Sequence, residues 1–167
     1  MLLEFIATIT AGVGAAGIVL AAQKLLRLPL PKWVMPACAG IAMLALTISL
    51  DYSWFARTEA SLGPDKVTAM KVEKKQIWRP WTYVFPVTTR FIALDKAGAR
   101  IDGATVETDM YLLARRADSA IVPVAFDCLL SRRADTAGLP EGDLSGATWF
   151  DMDQDDPILR TACDALR

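Results

Sequence analysis

Apolar residues fill two long runs at the start of the chain and then give way to short segments punctuated by turns. Leu2 to Ala22 is almost continuously apolar, broken only by Glu4 and small polar threonines. At about 1.5 Å per residue such a run spans about 30 Å, one hydrocarbon core. Trp33 to Leu50 is a second run, free of charge. It extends to Phe55, with Trp33 at one end and Tyr52 and Trp54 at the other, where interfacial aromatics belong. Pro36 falls in the first turn of this run, where a missing N–H is tolerated. The pattern predicts transmembrane helices over 2–22 and 33–54. Between them Gln23 to Lys32 carries Pro29 and Pro31, which predicts a tight turn and an antiparallel hairpin.

After Phe55 the pattern changes. Residues 56–65 (ARTEASLGPD) are polar with a Gly-Pro break and read as a linker. From 66 to 167 short β-branched and aromatic stretches alternate with turn residues. Val67 to Ile77 alternates weakly, as a strand or an extended arm. Trp81 to Leu94 predicts a strand, with Pro86 demanding an edge or a bulge. Asp95 to Gly98 and Asp102–Gly103 supply turns. Thr105 to Arg115, Ala120 to Leu130 and Ala147 to Met152 predict further strands, with a Gly- and Pro-containing loop over 136–146. Asp156 then caps a helix that opens on Pro157 and runs to about Leu166. The expected fold is a membrane α-helical hairpin plus an α+β extramembrane domain, an antiparallel β meander with a C-terminal helix.

Composition supports this division. The chain is 53% hydrophobic with a mean hydropathy of +0.31, yet 22% charged. It is too apolar for an ordinary soluble domain and too charged to lie wholly in lipid. Nearly all the charge follows residue 55. Glu4 stands where the basic region of a cleaved signal belongs, and Lys24 and Arg27 follow the first run, so that run reads as a retained helix.

Orientation is read from the basic residues. Lys24, Arg27 and Lys32 in the turn point to a cytoplasmic turn with both termini outside. Arg57, Lys66, Lys71, Lys74 and Lys75, after the second helix, argue the other way. The turn weighs more because its charges abut both helix ends.

A net charge of −1 and a pI near 5.4 give no sign of nucleic-acid binding. The sequence has no histidine, which removes the usual general base and the usual zinc and haem ligand. Three cysteines, with Cys38 inside an apolar run, are too few for a four-thiolate cluster within this chain. No Ser-x-x-Lys element, Gly-x-Ser-x-Gly elbow or phosphate-cradling glycine loop is present. Asp151, Asp153, Asp155 and Asp156 alternate like a calcium loop. Asp156 and Ala162 stand where that loop needs glycine and glutamate, so an acidic turn before a helix is the expected role. No catalytic, cofactor or metal residues are therefore assigned.

Two clusters suit contacts instead. On the first helix Thr8, Gly12 and Ala16 recur every four residues, and Ala7, Ala11 and Ala15 form an adjacent row. Such rows let helix backbones approach closely in lipid, one against the second helix and one against a partner. Lys71, Lys74, Lys75, Trp78, Arg79 and Trp81 form a basic aromatic segment. It fits anionic headgroups or an acidic partner, or the protected edge of a sheet.

The runs FDCLLSRR, ATWFDMDQDDP and ILRTACDAL resemble the C-terminal part of bacterial surface-adhesin protein E domains. The matching positions are Asp127, Cys128, Trp149, Pro157 and Cys163. The resemblance implies an antiparallel sheet tied to its C-terminal helix by a Cys128–Cys163 disulfide. These are also the two cysteines outside the apolar runs, and a bridge between them requires an oxidising compartment. Two free thiols in a cytoplasmic domain are the alternative.

The sequence thus leads to the expectation of a bacterial inner-membrane protein with its C-terminal domain in the periplasm. It is expected to be non-enzymatic, an accessory subunit of a larger integral-membrane complex, for instance an energy-converting one, in contact with the lipid bilayer. A membrane-anchored adhesin or ligand-binding module is the alternative.

Overall fold

A computed structural model of the protein describes residues 2–27, 29, 31–77, 79–140 and 142–165. The chain divides into two compact units, Met1–Trp54 and Phe55–Arg167.

The first unit holds helix α1 (Leu2–Leu26) and the larger part of helix α2 (Val34–Leu62). Both are long and apolar enough to cross a membrane. Their threonines follow the rule for helices in an apolar medium, where each polar group needs an internal partner. Thr8, Thr10 and Thr47 each donate a hydroxyl to the carbonyl four residues earlier, on Glu4, Ile6 and Met43, at 2.8–2.9 Å. Gly12 is the buried residue of α1, and a Cβ there would collide with the side chain of Met43 on α2. The helix outruns its expected end at Ala22 by one turn. Gln23 to Leu26 are helical, Lys24 suits the negative end of the helix dipole, and Arg27 leaves the helix at φ +49°.

The second unit is a sheet of strands β1 (Lys66–Lys74), β2 (Val87–Asp95), β3 (Arg100–Asp102), β4 (Thr105–Ala114), β5 (Ala120–Asp127), β6 (Arg132–Asp135) and β7 (Thr148–Asp151). Its order is β1-β2-β4-β5-β6-β7, all antiparallel, with β3 paired to the start of β4. Leu94 opposes Met110 and Arg100 opposes Glu107, so β2 and β3 flank one edge of β4 in turn and 96–99 loops out between them. Thr108, buried in β4, ties that excursion down by donating to the carbonyl of Asp95 at 2.7 Å. Pro123 sits in the interior strand β5 without breaking the β4 ladder. Its carbonyl accepts from Thr136, so its missing N–H lies on the side where β6 has ended.

One face of the sheet carries the core. Leu94, Val106, Met110, Val124 and Phe126 pack against Ile158, Leu159 and Ala162 of the C-terminal helix. That helix, α3 (Pro157–Arg160), continues as a π turn over Thr161–Ala165. Asp156 caps it by accepting from the N–H of Ile158 at 2.8 Å, and Pro157 holds the first position. Leu166, expected on the same apolar face, lies outside the described residues. Cys128, just past β5, is bonded to Cys163 in the π turn, with Cα atoms 5.9 Å apart and a separation of 35 positions in sequence.

The opposite face is covered differently. Residues 56–65 are not a linker: α2 continues to Leu62, and only Gly63 (φ +85°) breaks it. The reason is tertiary. Phe55 meets Phe91 of β2 edge to face at 5.0 Å between ring centres, and Glu59 accepts from Thr68 of β1 at 2.7 Å. Three further differences follow, one with a local cause and two from strand pairing. The strand expected from Trp81 begins at Val87, because Pro80 and Pro86 bracket a 3-10 turn, Pro80–Tyr83. Strands β3 and β6 were not expected; RID and RRAD are short and charged, and both are held by pairing with longer neighbours.

The bridge closes a long loop, so Cys163→Ser is expected to lower the stability of the second unit by about 3 kcal/mol. Denaturant unfolding of the purified chain, followed by near-ultraviolet circular dichroism, measures this; an unchanged midpoint would contradict it.

Candidate functional site

The residues singled out in the sequence fall into three places. Cys128 and Cys163 form a structural bridge beside the core. On α1, Thr8, Ala11, Gly12, Ala15 and Ala16 are all buried or half-buried, and Ala7 is exposed. The two expected rows therefore merge into one face. That face includes Gly12 against Met43 within the hairpin, and of the second row only Ala7 is left on the outside.

The basic aromatic segment is divided. The Lys71 ammonium lies 4.0 Å from the centre of the Phe55 ring, a cation–π contact within the second unit. Lys66 likewise stands 5.2 Å over Tyr111 and 3.7 Å from Asp95. These two lysines belong to the sheet's own packing. Lys75, Arg79 and Trp81 lie in the connection between β1 and β2 and Lys74 ends β1 just before it, with Lys74 and Lys75 exposed. Trp78 lies outside the described residues.

That connection is tightly built. Thr82 is fully buried at its centre. Its hydroxyl accepts from the N–H of Gln76 at 2.9 Å and donates to the carbonyl of Arg79 at 2.7 Å. The N–H of Arg79 donates to Gln76 and that of Thr82 to Arg79, at 3.0 and 2.9 Å. The carbonyl of Trp81 then takes the N–H groups of both Val84 and Phe85. Around this frame Ile77, Tyr83, Val84 and Phe85 are 84%, 54%, 71% and 65% exposed. The sequence pattern hid Tyr83, Val84 and Phe85 by suggesting a strand over 81–94, and Ile77 by suggesting a strand or extended arm over 67–77. Pro80 and Pro86 were the signal that the segment turns.

A second feature is a cleft of about 370 Å³ on the sheet. It is lined by Arg100, Glu107, Asp109 and Pro123 from the strands and by Leu139 and Leu144 from the loop after β6. Arg100 and Glu107 are cross-strand neighbours, as are Asp109 and Pro123, so all four share one face.

Asp127 organises the turn after β5. Its carboxylate accepts from the N–H groups of Leu129 and Leu130 at 3.0 Å each and pairs with Arg132 at 3.0 Å. Arg132 in turn stands 5.3 Å over the ring of Trp149. Burial pushes the Asp127 carboxyl up, but the hydrogen bonds from Leu130, Arg132 and Leu129 together hold it below its ordinary value of 3.8. In the acidic run, Asp153 accepts from the N–H of Asp155 and Asp156 caps α3. Among the described residues no three His, Cys, Asp or Glu side chains are grouped to hold a metal ion.

No protein-family model, curated protein or solved structure matches the chain.

Two outcomes are expected. Thr82→Val keeps the shape and removes the hydroxyl, leaving buried backbone groups unsatisfied at a cost of about 1–3 kcal/mol. Amide hydrogen exchange at Gln76 should quicken accordingly, and unchanged protection would mean that the turn is held by other contacts. For Asp127 the folded carboxyl is the stronger acid. It therefore contributes stability fully above pH 3.8 and loses it as pH falls through the lower folded value. Asp127→Asn should be less stable than wild type at neutral pH, and the gap should narrow on acidification; a gap constant with pH would refute this.

Proposed function

We propose that the chain is a non-enzymatic accessory subunit of a larger membrane complex, anchored by α1 and α2. One observation carries the reading. Only 6% of the most apolar stretch of each helix is buried within the protein. A core helix of a soluble protein hides most of its apolar surface. Here Leu2, Leu3, Phe5, Ile9, Val13 and Ile18 of α1 and Ile41 and Leu44 of α2 lie open. Surface of that extent is stable only in lipid or against other apolar helices.

The compartment follows from the disulfide. A bridge that joins a strand end to the final helix persists in an oxidising space, which supports the reading of the sheet unit as periplasmic, on a bacterial inner membrane. The absence of histidine and of any recognisable nucleophile–base frame favours a role through contacts over catalysis.

Gentle detergent extraction followed by native electrophoresis and mass spectrometry tests this. A stable assembly containing at least one other integral-membrane chain is expected. Migration only as an 18.2 kDa monomer, with no co-purifying chain, would sink the reading.

A further inference from the structure

We infer that the β1–β2 connection is a second membrane contact, a rigid loop that inserts apolar side chains between anionic lipid headgroups. The inference rests on the membrane anchoring proposed above and goes beyond it, because it concerns residues outside both helices. Four observations meet in this segment. Ile77, Tyr83 and Val84 present large apolar surface, each more than half exposed. They are not the exposed residues of a loose loop, since the buried Thr82 hydroxyl and the doubly used Trp81 carbonyl fix the backbone that carries them. Their ordering cost is already met in the free protein.

The third observation is charge. Lys74, the last residue of β1, and Lys75 stand exposed three and two residues before Ile77, whereas the ammonium groups of Lys66, half-buried, and Lys71, itself exposed, lie over Tyr111 and Phe55. Cations flanking exposed aliphatic and aromatic side chains match the lipid interface, where anionic headgroups lie above the hydrocarbon and Tyr and Trp rings sit at the boundary. The fourth is tethering. Two membrane-length helices on the same chain keep the loop at high local concentration near a bilayer, so a few side chains suffice for docking. A protein surface complementary to this loop would need a partner of its own design; the bilayer is supplied by the anchor.

The test uses the full chain in vesicles of phosphatidylcholine and phosphatidylglycerol, in a Cys38→Ala background with the native disulfide intact. A nitroxide is placed by Val84→Cys at the loop, by Leu20→Cys on α1 and by Ile121→Cys on an exposed site of β5. Collision with oxygen reports lipid, and collision with a water-soluble nickel chelate reports solvent. The expected result is oxygen dominance at positions 20 and 84 and nickel dominance at 121. The signal at 84 should revert to nickel in pure phosphatidylcholine or when Lys74→Glu and Lys75→Glu are added.

Nickel dominance at 84 with lipid exposure at 20 overturns the loop contact and leaves the anchor standing. Nickel dominance at both overturns the anchor and the loop contact with it. Protection of 84 from both reagents identifies a protein contact and also overturns the inference.

Discussion

The sheet unit depends on nine residues of helix staying in place. Pro157 to Ala165 supply Ile158, Leu159 and Ala162, which close the core over Leu94, Val106, Met110, Val124 and Phe126. A helix that short is not stable in water by itself. Its start is fixed by the Asp156 cap and Pro157, and its far end by the bond from Cys163 to Cys128. The bridge joins the helix to the end of β5, the strand that contributes Val124 and Phe126 to the same core. Covalent and apolar contacts therefore hold the same helix to the same strand. The turn that follows Cys128 is set by Asp127, so the site of the bridge and the entry to β6 are organised together.

With one face of the sheet closed in this way, the other is covered by residues whose sequence gives little hint of it. Phe55 and Glu59 reach Phe91 and Thr68 because α2 does not stop where its hydrophobicity does. Residues 56–62 are polar, yet Ala56, Arg57, Glu59 and Ala60 are good helix formers, and helix propensity is independent of hydropathy. A change in composition marks where a helix changes its surroundings. It does not mark where the helix ends.

Legibility in the sequence followed the same division. The two helices, the Asp156–Pro157 helix start and strands β4 and β5 were readable, because each rests on a long run or on local chemistry at adjacent residues. The Cys128–Cys163 pair was readable because few cysteines were available outside the apolar runs. What failed was tertiary. RID and RRAD have no apolar periodicity and form strands only because β4 and β5 offer unpaired edges. The rows on α1 were seen as two, while the burial of Ala11 and Ala15 along with Gly12 makes them one. The lysines were read as a single cluster from their spacing. A bulged strand facing aromatics on one side sorted them into two groups.

That sorting says most about how the chain uses its apolar surface. Two aromatic rings of the sheet unit are capped by lysines, Phe55 by Lys71 at 4.0 Å and Tyr111 by Lys66 at 5.2 Å. Ile77, Tyr83 and Val84, in the connection that follows the strand carrying those lysines, remain open. A loose loop could collapse them onto the sheet at little backbone cost. The network centred on Thr82 prevents that, since each collapse would break hydrogen bonds made by a fully buried hydroxyl. The exposure of this apolar tip is thus imposed by the structure of the turn, just as the exposure of α1 and α2 is imposed by their length. In both places the fold holds apolar surface outward, and one kind of surroundings, an apolar layer bordered by negative charge, would satisfy both.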